Sequence, residues 1–191
     1  AIHKISCMPL GPKGNSYNLE RKTQMVSDEA LLNFTEWLLE KGLPFQEKVE
    51  IARLSYIKAG GCCRVLVKPS TEEQLTDLIK VLATRSLPFK IMGNLSNVLF
   101  RDGDIRTICI SMRNLRALYF DNDGTVLAEA GVMLPVLTNK LVKSGYKGFS
   151  GLVGIPASIG GAVFMNASSY GDATSDQLVD VRCLDKDGNV H

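Results

Sequence analysis

The sequence predicts an α+β fold, and three patterns carry that expectation. A strand-like run, an amphipathic helical run and a second strand-like run follow one another over residues 63–92 as a βαβ-like unit. A hairpin signal comes next, two short apolar runs around the turn Asp121-Asn122-Asp123-Gly124. Seven glycines then crowd residues 145–171, a stretch too apolar for a surface linker and too glycine-rich for an ordinary core helix. At 191 residues the chain suits one domain or two small lobes. A chain of this size can bury roughly 70% of its unfolded surface.

Taken in order, residues 1–26, with Gly11, Pro12, Gly14 and Asn15, read as a loose arm. A helix then starts at Ser27, an acceptable N-cap, with Asp28 and Glu29 facing the positive helix end. Ala30, Phe34, Trp37, Leu38 and Lys41 follow at helical spacing, and Gly42 with Pro44 ends the element. Trp37 reads as a packing anchor. Gly60-Gly61 leads into a strand over residues 63–68. Ser70 and Glu73 form a capping box, and Leu75, Leu78, Ile79 and Leu82 supply the apolar stripe of a second helix that stops before Pro88. The strand 89–92 runs into Gly93-Asn94-Leu95-Ser96-Asn97, and residues 98–100 and 107–110 read as further short strands. This order sets the first glycine cluster at a strand's carboxyl end, the edge that small-ligand sites favour. After the hairpin, Leu134, Leu137 and Leu141 form the stripe of a third helix, with Pro135 in its first turn and Gly145 just past its end. Residues 178–184 alternate in and out as a strand before the turn Asp185-Lys186-Asp187-Gly188-Asn189. Only Val190 and His191 are left for a return strand, so the chain is expected to stop inside a structural unit of a longer protein.

Composition leaves few other classes open. Hydrophobic residues make up 45%, charged residues 22%, and the net charge is +2, an ordinary soluble composition. No Lys/Arg run is dense enough for a nucleic-acid or membrane surface, and no apolar run approaches the roughly 18 residues of a membrane span. The five cysteines lie mostly in apolar strand-like runs and read as buried reduced thiols. With only His3 and His191 available, no metal site is expected.

The glycine clusters carry the chemistry. Glycine lets backbone N–H groups approach a ligand, and a series of them makes an anion-binding concavity. Residues 93–97 match neither the Walker A pattern nor G-x-G-x-x-G, because Leu95 stands where a second glycine would be. Alone, this cluster fits a plain turn as well as a phosphate cradle, with Ser96 and Asn97 adding side-chain donors. The second cluster is Gly154-Ile155-Pro156-Ala157-Ser158-Ile159-Gly160-Gly161-Ala162-Val163-Phe164-Met165-Asn166. There Gly160-Gly161-Ala162 can open a short helix whose N-terminus faces an anion. Close helix–sheet packing would account for Gly160 and Gly161, but not for the nearby Ser158, Asn166 and Ser168 donors.

With Gly60-Gly61 before them and Tyr170-Gly171 after, these motifs resemble the FAD-binding part of the UDP-N-acetylenolpyruvoylglucosamine reductase (UDP-N-acetylmuramate dehydrogenase) family over residues 55–191. The resemblance implies a two-lobed α+β FAD-binding fold of the UDP-N-acetylmuramate dehydrogenase and vanillyl-alcohol-oxidase type. Its parts would be an N-terminal arm and helix (1–49), a first lobe (50–115) and a second, incomplete lobe (116–191). It implies that Gly93, Asn94, Leu95, Ser96 and Asn97 hold the pyrophosphate of FAD. Gly154, Ile155, Pro156, Ala157, Ser158, Gly160 and Gly161 would wrap the ribityl chain and flavin, with Asn166 nearby and Gly131 toward the adenine. In the family NADPH reduces the flavin, which reduces a UDP-sugar enolpyruvyl ether in peptidoglycan precursor synthesis. The family's catalytic serine, arginine and glutamate lie downstream of the matching region, so no catalytic residue is carried over. Partners would be the cofactor and UDP-sugar, with neither nucleic acid nor membrane. Leu95, Ala157 and Ser168 stand where the family usually has glycine. If Leu95 must adopt a left-handed backbone, the cost is roughly 1–2 kcal/mol, and its side chain is then expected to crowd the phosphate. Those departures keep two alternatives open: another FAD-dependent oxidoreductase on the same scaffold, or a non-catalytic nucleotide-binding or assembly module.

Overall fold

The computed structural model describes residues 2–3, 25–122 and 124–191. Most of the expected N-terminal arm, residues 1 and 4–24, lies outside the described residues, as do Cys7 and Asp123. The described part of that arm is not loose: β1 (Ile2–His3) pairs in parallel with Val126 and Leu127.

Helix α1 (Asp28–Glu40) begins at the expected cap, where Ser27 Oγ accepts a hydrogen bond from the Ala30 N–H at 3.2 Å. Its buried stripe is Leu31, Phe34, Thr35 and Leu38, with Ala30 and Trp37 half-buried at its margin. Trp37 stacks on Phe34, with ring centroids 5.9 Å apart, as befits a packing anchor. Gly42 turns the chain back with φ +62°.

The following strand, β2 (Phe45–Glu50), has no clear signal in the sequence. Only Phe45 and Val49 are half-buried and the rest are exposed, because this is an edge strand pairing on one side alone. One helical turn, α2 (Ile51–Leu54), then drops Ile51 fully under the sheet. Strand β3 (Cys62–Val67) leads to α3 (Glu72–Thr84), which buries Leu75, Leu78, Ile79 and Leu82 as its stripe predicts. The capping box is displaced by one residue. Thr71 Oγ1 accepts from the Gln74 N–H at 3.1 Å, and Gln74 Oε1 accepts from the Ser70 N–H at 2.8 Å, so Gln74 rather than Glu73 reaches back.

Strands β4 (Phe89–Met92), β5 (Asp104–Ile105) and β6 (Ile108–Ser111) complete a five-stranded sheet ordered β2-β3-β6-β4, with β5 also paired to β3. All pairings except β2 with β3 are parallel. Val65, Val67, Ile108 and Ile110 join the core made by α1 and α3, while Ile51, Leu66, Met92 and Cys109 form a second cluster. Burial on both faces explains the apolar runs 65–67 of β3 and 108–110 of β6. Residues 98–100 correct the sequence reading. They form no strand, because the chain leaves the sheet after Met92 and rejoins it only at Asp104, leaving Val98 and Leu99 exposed.

The predicted hairpin forms as β7 (Leu118–Phe120) and β8 (Val126–Ala128), in register Leu118↔Ala128. Helix α4 (Leu134–Lys143) buries Leu134, Leu137 and Leu141, and Gly145 reverses the chain at φ +84°. The second glycine cluster ends in the short helix α5 (Ile159–Phe164). Strands β9 (Ser168–Ser169) and β10 (Asp172–Ala173) then make a tight hairpin. The alternation over residues 178–184 does not become a strand. Bridge contacts occur at single positions, Leu178, Cys183 and Leu184, the last of them to Val190, while Leu178 and Val181 pack against the core. One apolar cluster runs from α1 and α3 through Met112 and Leu115 to Leu137, Ile159 and Leu184, so residues 50–115 and 116–191 meet over a shared interior.

Candidate cofactor cleft

The two glycine clusters, remote in sequence, touch. Asn94 Nδ2 donates to the Pro156 carbonyl at 2.7 Å, across a separation of 62 residues. Gly93 sits so close to Ser158 that a Cβ built on it would lie 2.5 Å from Ser158 Oγ. Together they line one cleft of about 1090 Å³, completed by residues 98–102 and 164–169. Gly93, Asn94, Leu95, Ser96, Asn97, Ile155, Pro156, Ala157, Ser158, Gly160, Gly161 and Asn166 all border it. Gly131 and Gly154 do not. Gly131 is buried with its N–H donated to the Leu115 carbonyl at 2.8 Å, and its neighbour Ala130 reaches the cleft instead. Gly154 is exposed beside it.

The clusters differ in what they offer a ligand. In the first, the N–H groups of Asn94, Ser96 and Asn97 donate to no atom among the described residues. In the second, the N–H groups that open α5 are spent: Ile159 donates to the Val132 carbonyl at 2.8 Å and Gly160 to the Ala130 carbonyl at 2.9 Å. Gly161 N–H points to Ser158 Oγ at 3.4 Å. The expected helix exists, but its first amides tie it to the segment after β8 rather than facing an anion. A Cβ on Gly160 would lie 2.8 Å from the Ala130 Cβ, so this glycine serves close packing. Unspent backbone N–H groups therefore belong to residues 94–97 among the described residues, and residues 155–161 form the wall opposite.

Leu95 has the left-handed backbone expected of it, φ +57°, yet its side chain does not crowd the loop. It is 4% exposed and packs with Ile51, Cys63, Leu66, Met92 and Cys109. Neither Ala157 nor Ser168 has a positive φ, so neither position demands glycine. Asn166 ends α5 at φ +43°, and its Oδ1 accepts from the Ser175 N–H at 2.9 Å.

Two features escaped the sequence reading. Arg113 Nη2 donates to the carbonyls of Leu54 and Asn94 at 3.1 and 3.0 Å and to Asn94 Oδ1 at 3.3 Å. A lone arginine after a strand carries no pattern that would single it out. An ion-pair network also borders the cleft: Arg64 bridges Asp28 and Asp104, and Arg106 meets Asp28 at 2.6 Å. Hydrogen bonding to Arg106 and the nearby Arg64 charge hold the Asp28 carboxyl below its usual range, and Arg64 does the same for Asp104. The free thiols of Cys63 and Cys109 lie under the sheet, where the Cys63 contact and burial push Cys109 up.

A sheet-edge loop with unspent amides thus faces a wall of small residues across a large cleft. The chain matches the family described as FAD binding domain over residues 63–191, and it belongs to that family. The relatives bear out the resemblance expected from the motifs. The chain is 41% identical over 166 residues to UDP-N-acetylenolpyruvoylglucosamine reductase from Clostridioides difficile (strain 630), which covers 87% of this chain and 54% of that protein. The crystal structure of the corresponding reductase from Thermus caldophilus superposes with a TM-score of 0.55 at 26% identity, over 78% of this chain and 51% of that one. The glucose dehydrogenase Phl p 4.0202 shares the fold, with a TM-score of 0.56 at 13% identity over 83% of this chain and 37% of that one. The chain thus spans about half the length of the curated reductase it matches.

Proposed function

We propose that this chain is the FAD-holding portion of an NADPH-dependent reductase acting on UDP-N-acetylglucosamine enolpyruvate, in cytoplasmic peptidoglycan precursor synthesis. The carrying observation is the contact between Asn94 and Pro156, which closes the two glycine clusters around one cleft. The residues fit such a group. Gly93 lets the first loop pack directly against Ser158 of the second, and the Asn94, Ser96 and Asn97 amides are available to pyrophosphate oxygens. At about 1090 Å³ the cleft lies at the upper end of small-molecule sites, as a dinucleotide requires. Residues 93–97 would hold the pyrophosphate and residues 155–161 would flank the ribityl chain and ring, with residues 50–115 and 116–191 as the two jaws. Bound FAD supplies the hydride transfer. This chain's own part is to orient the dinucleotide and bury its ring system.

Titration of the purified chain with FAD tests the reading directly. Binding should quench flavin fluorescence, shift the visible flavin bands and raise the melting temperature. A chain that leaves both the flavin signal and its own melting unchanged at saturating FAD overturns it.

A further inference from the structure

We infer that Arg113 is the positioning residue of this cleft, acting on the dinucleotide through Asn94 without touching it. The inference rests on the FAD reading above but concerns a residue outside the cleft lining, where Met112 is the neighbour that faces the cavity.

The geometry is that of a clamp. Arg113 Nη2 meets three oxygens, the Leu54 carbonyl, the Asn94 carbonyl and Asn94 Oδ1, at 3.1, 3.0 and 3.3 Å. The Asn94 amide then has one sensible orientation. Its oxygen must face the Arg113 donor and its nitrogen the Pro156 carbonyl at 2.7 Å, since a flipped amide would set donor against donor and acceptor against acceptor. Arg113 thereby fixes which end of Asn94 reaches the opposite wall. The next residue is tethered as well, because the Leu95 carbonyl accepts from the Tyr56 N–H at 3.1 Å. Leu54 and Tyr56 flank the end of α2, so the loop is tied to α2 on one side and to Pro156 on the other. With the Asn94 and Leu95 carbonyls held in this way, the N–H groups of Asn94, Ser96 and Asn97 stay unspent at the border of the cleft. Lysine is a poor substitute here: a guanidinium is a planar fork, whereas an ammonium is a strongly hydrated point charge.

The test uses the full 191-residue chain as wild type, Arg113→Gln and Arg113→Lys. Two readouts are taken, the FAD dissociation constant by fluorescence quenching and amide hydrogen exchange by peptide mass analysis. Loss of hydrogen bonds from a charged donor predicts that Arg113→Gln raises the dissociation constant about tenfold or more. Exchange should quicken in the peptides covering residues 93–97 and 154–158 while α3 keeps its protection. Arg113→Lys should fall between the two and keeps the comparison open if the glutamine variant folds poorly. An unchanged dissociation constant overturns the inference. So does exchange that quickens equally through α3, which marks Arg113 as a general structural support. If wild type takes up no FAD, the functional reading fails separately, and the exchange readout still decides whether Arg113 orders the loop.

Discussion

Leu95 spends roughly 1–2 kcal/mol on a left-handed backbone, and the side chain that incurs this cost recovers it by burial. Full burial of a leucine contributes about 1.5–3 kcal/mol, so the residue is an anchor for the loop rather than an obstacle in it. Two substitutions separate the terms. Leu95→Ala loses the packing and keeps the strain, and should destabilise by about 2–4 kcal/mol in urea unfolding. Leu95→Gly loses the packing but relieves the strain, and should come out about 1 kcal/mol milder. Equal losses would mean that the strain is not there. The sequence raises a left-handed Leu95 only as a condition and says nothing of where its side chain goes, because the apolar residues that receive it come from α2, β3, β4 and β6.

Helix α5 and its surroundings show the same division among glycines. Gly131 and Gly154 look alike as motif positions, and their neighbours make them opposites. A Cβ on Gly131 would lie 2.0 Å from the Met112 carbonyl oxygen, whereas one on Gly154 would meet nothing within 4 Å. Gly131→Ala should therefore cost about 3 kcal/mol or more by forcing backbone apart, and Gly154→Ala should stay within about 0.5 kcal/mol. Thermal melts of the two variants check this, and similar melting points would refute it. Elements marked by short-range chemistry were legible: α1 by Ser27, α3 by its leucine stripe, α4 by Pro135 and Gly145, and the hairpin by its turn. Edge strand β2 was not legible, because one-sided pairing leaves its sequence polar. Residues 98–100 have strand-like composition but pair with no strand among the described residues, and residues 178–184 make only single bridges.

Across the whole molecule, the Asp28, Arg64, Asp104 and Arg106 network ties the start of α1 to β3 and β5 on one border of the cleft. Both carboxyls titrate lower when folded than in the unfolded chain, whose aspartates sit near 3.8. The unfolded state thus takes up protons first on acidification. The network's contribution is fully present above about pH 4 and fades as pH falls through the folded values. Arg64→Met should therefore melt below wild type at neutral pH, with a gap that narrows below about pH 4 and that salt reduces. A gap independent of pH would remove these carboxylates from the stability of the fold.

The amino-acid order alone settled the elements governed by neighbours three or four residues away and announced two glycine-rich loops fit for a dinucleotide. Tertiary contact settled which of those loops still has amides to give. An amide's availability depends on a carbonyl elsewhere in the chain: Ala130 and Val132 silence the opening of α5, while none among the described residues silences Asn94, Ser96 and Asn97. Such partners are fixed only when strands and helices pack, and Arg113, whose oxygens come from Leu54 and Asn94, becomes meaningful at that same moment.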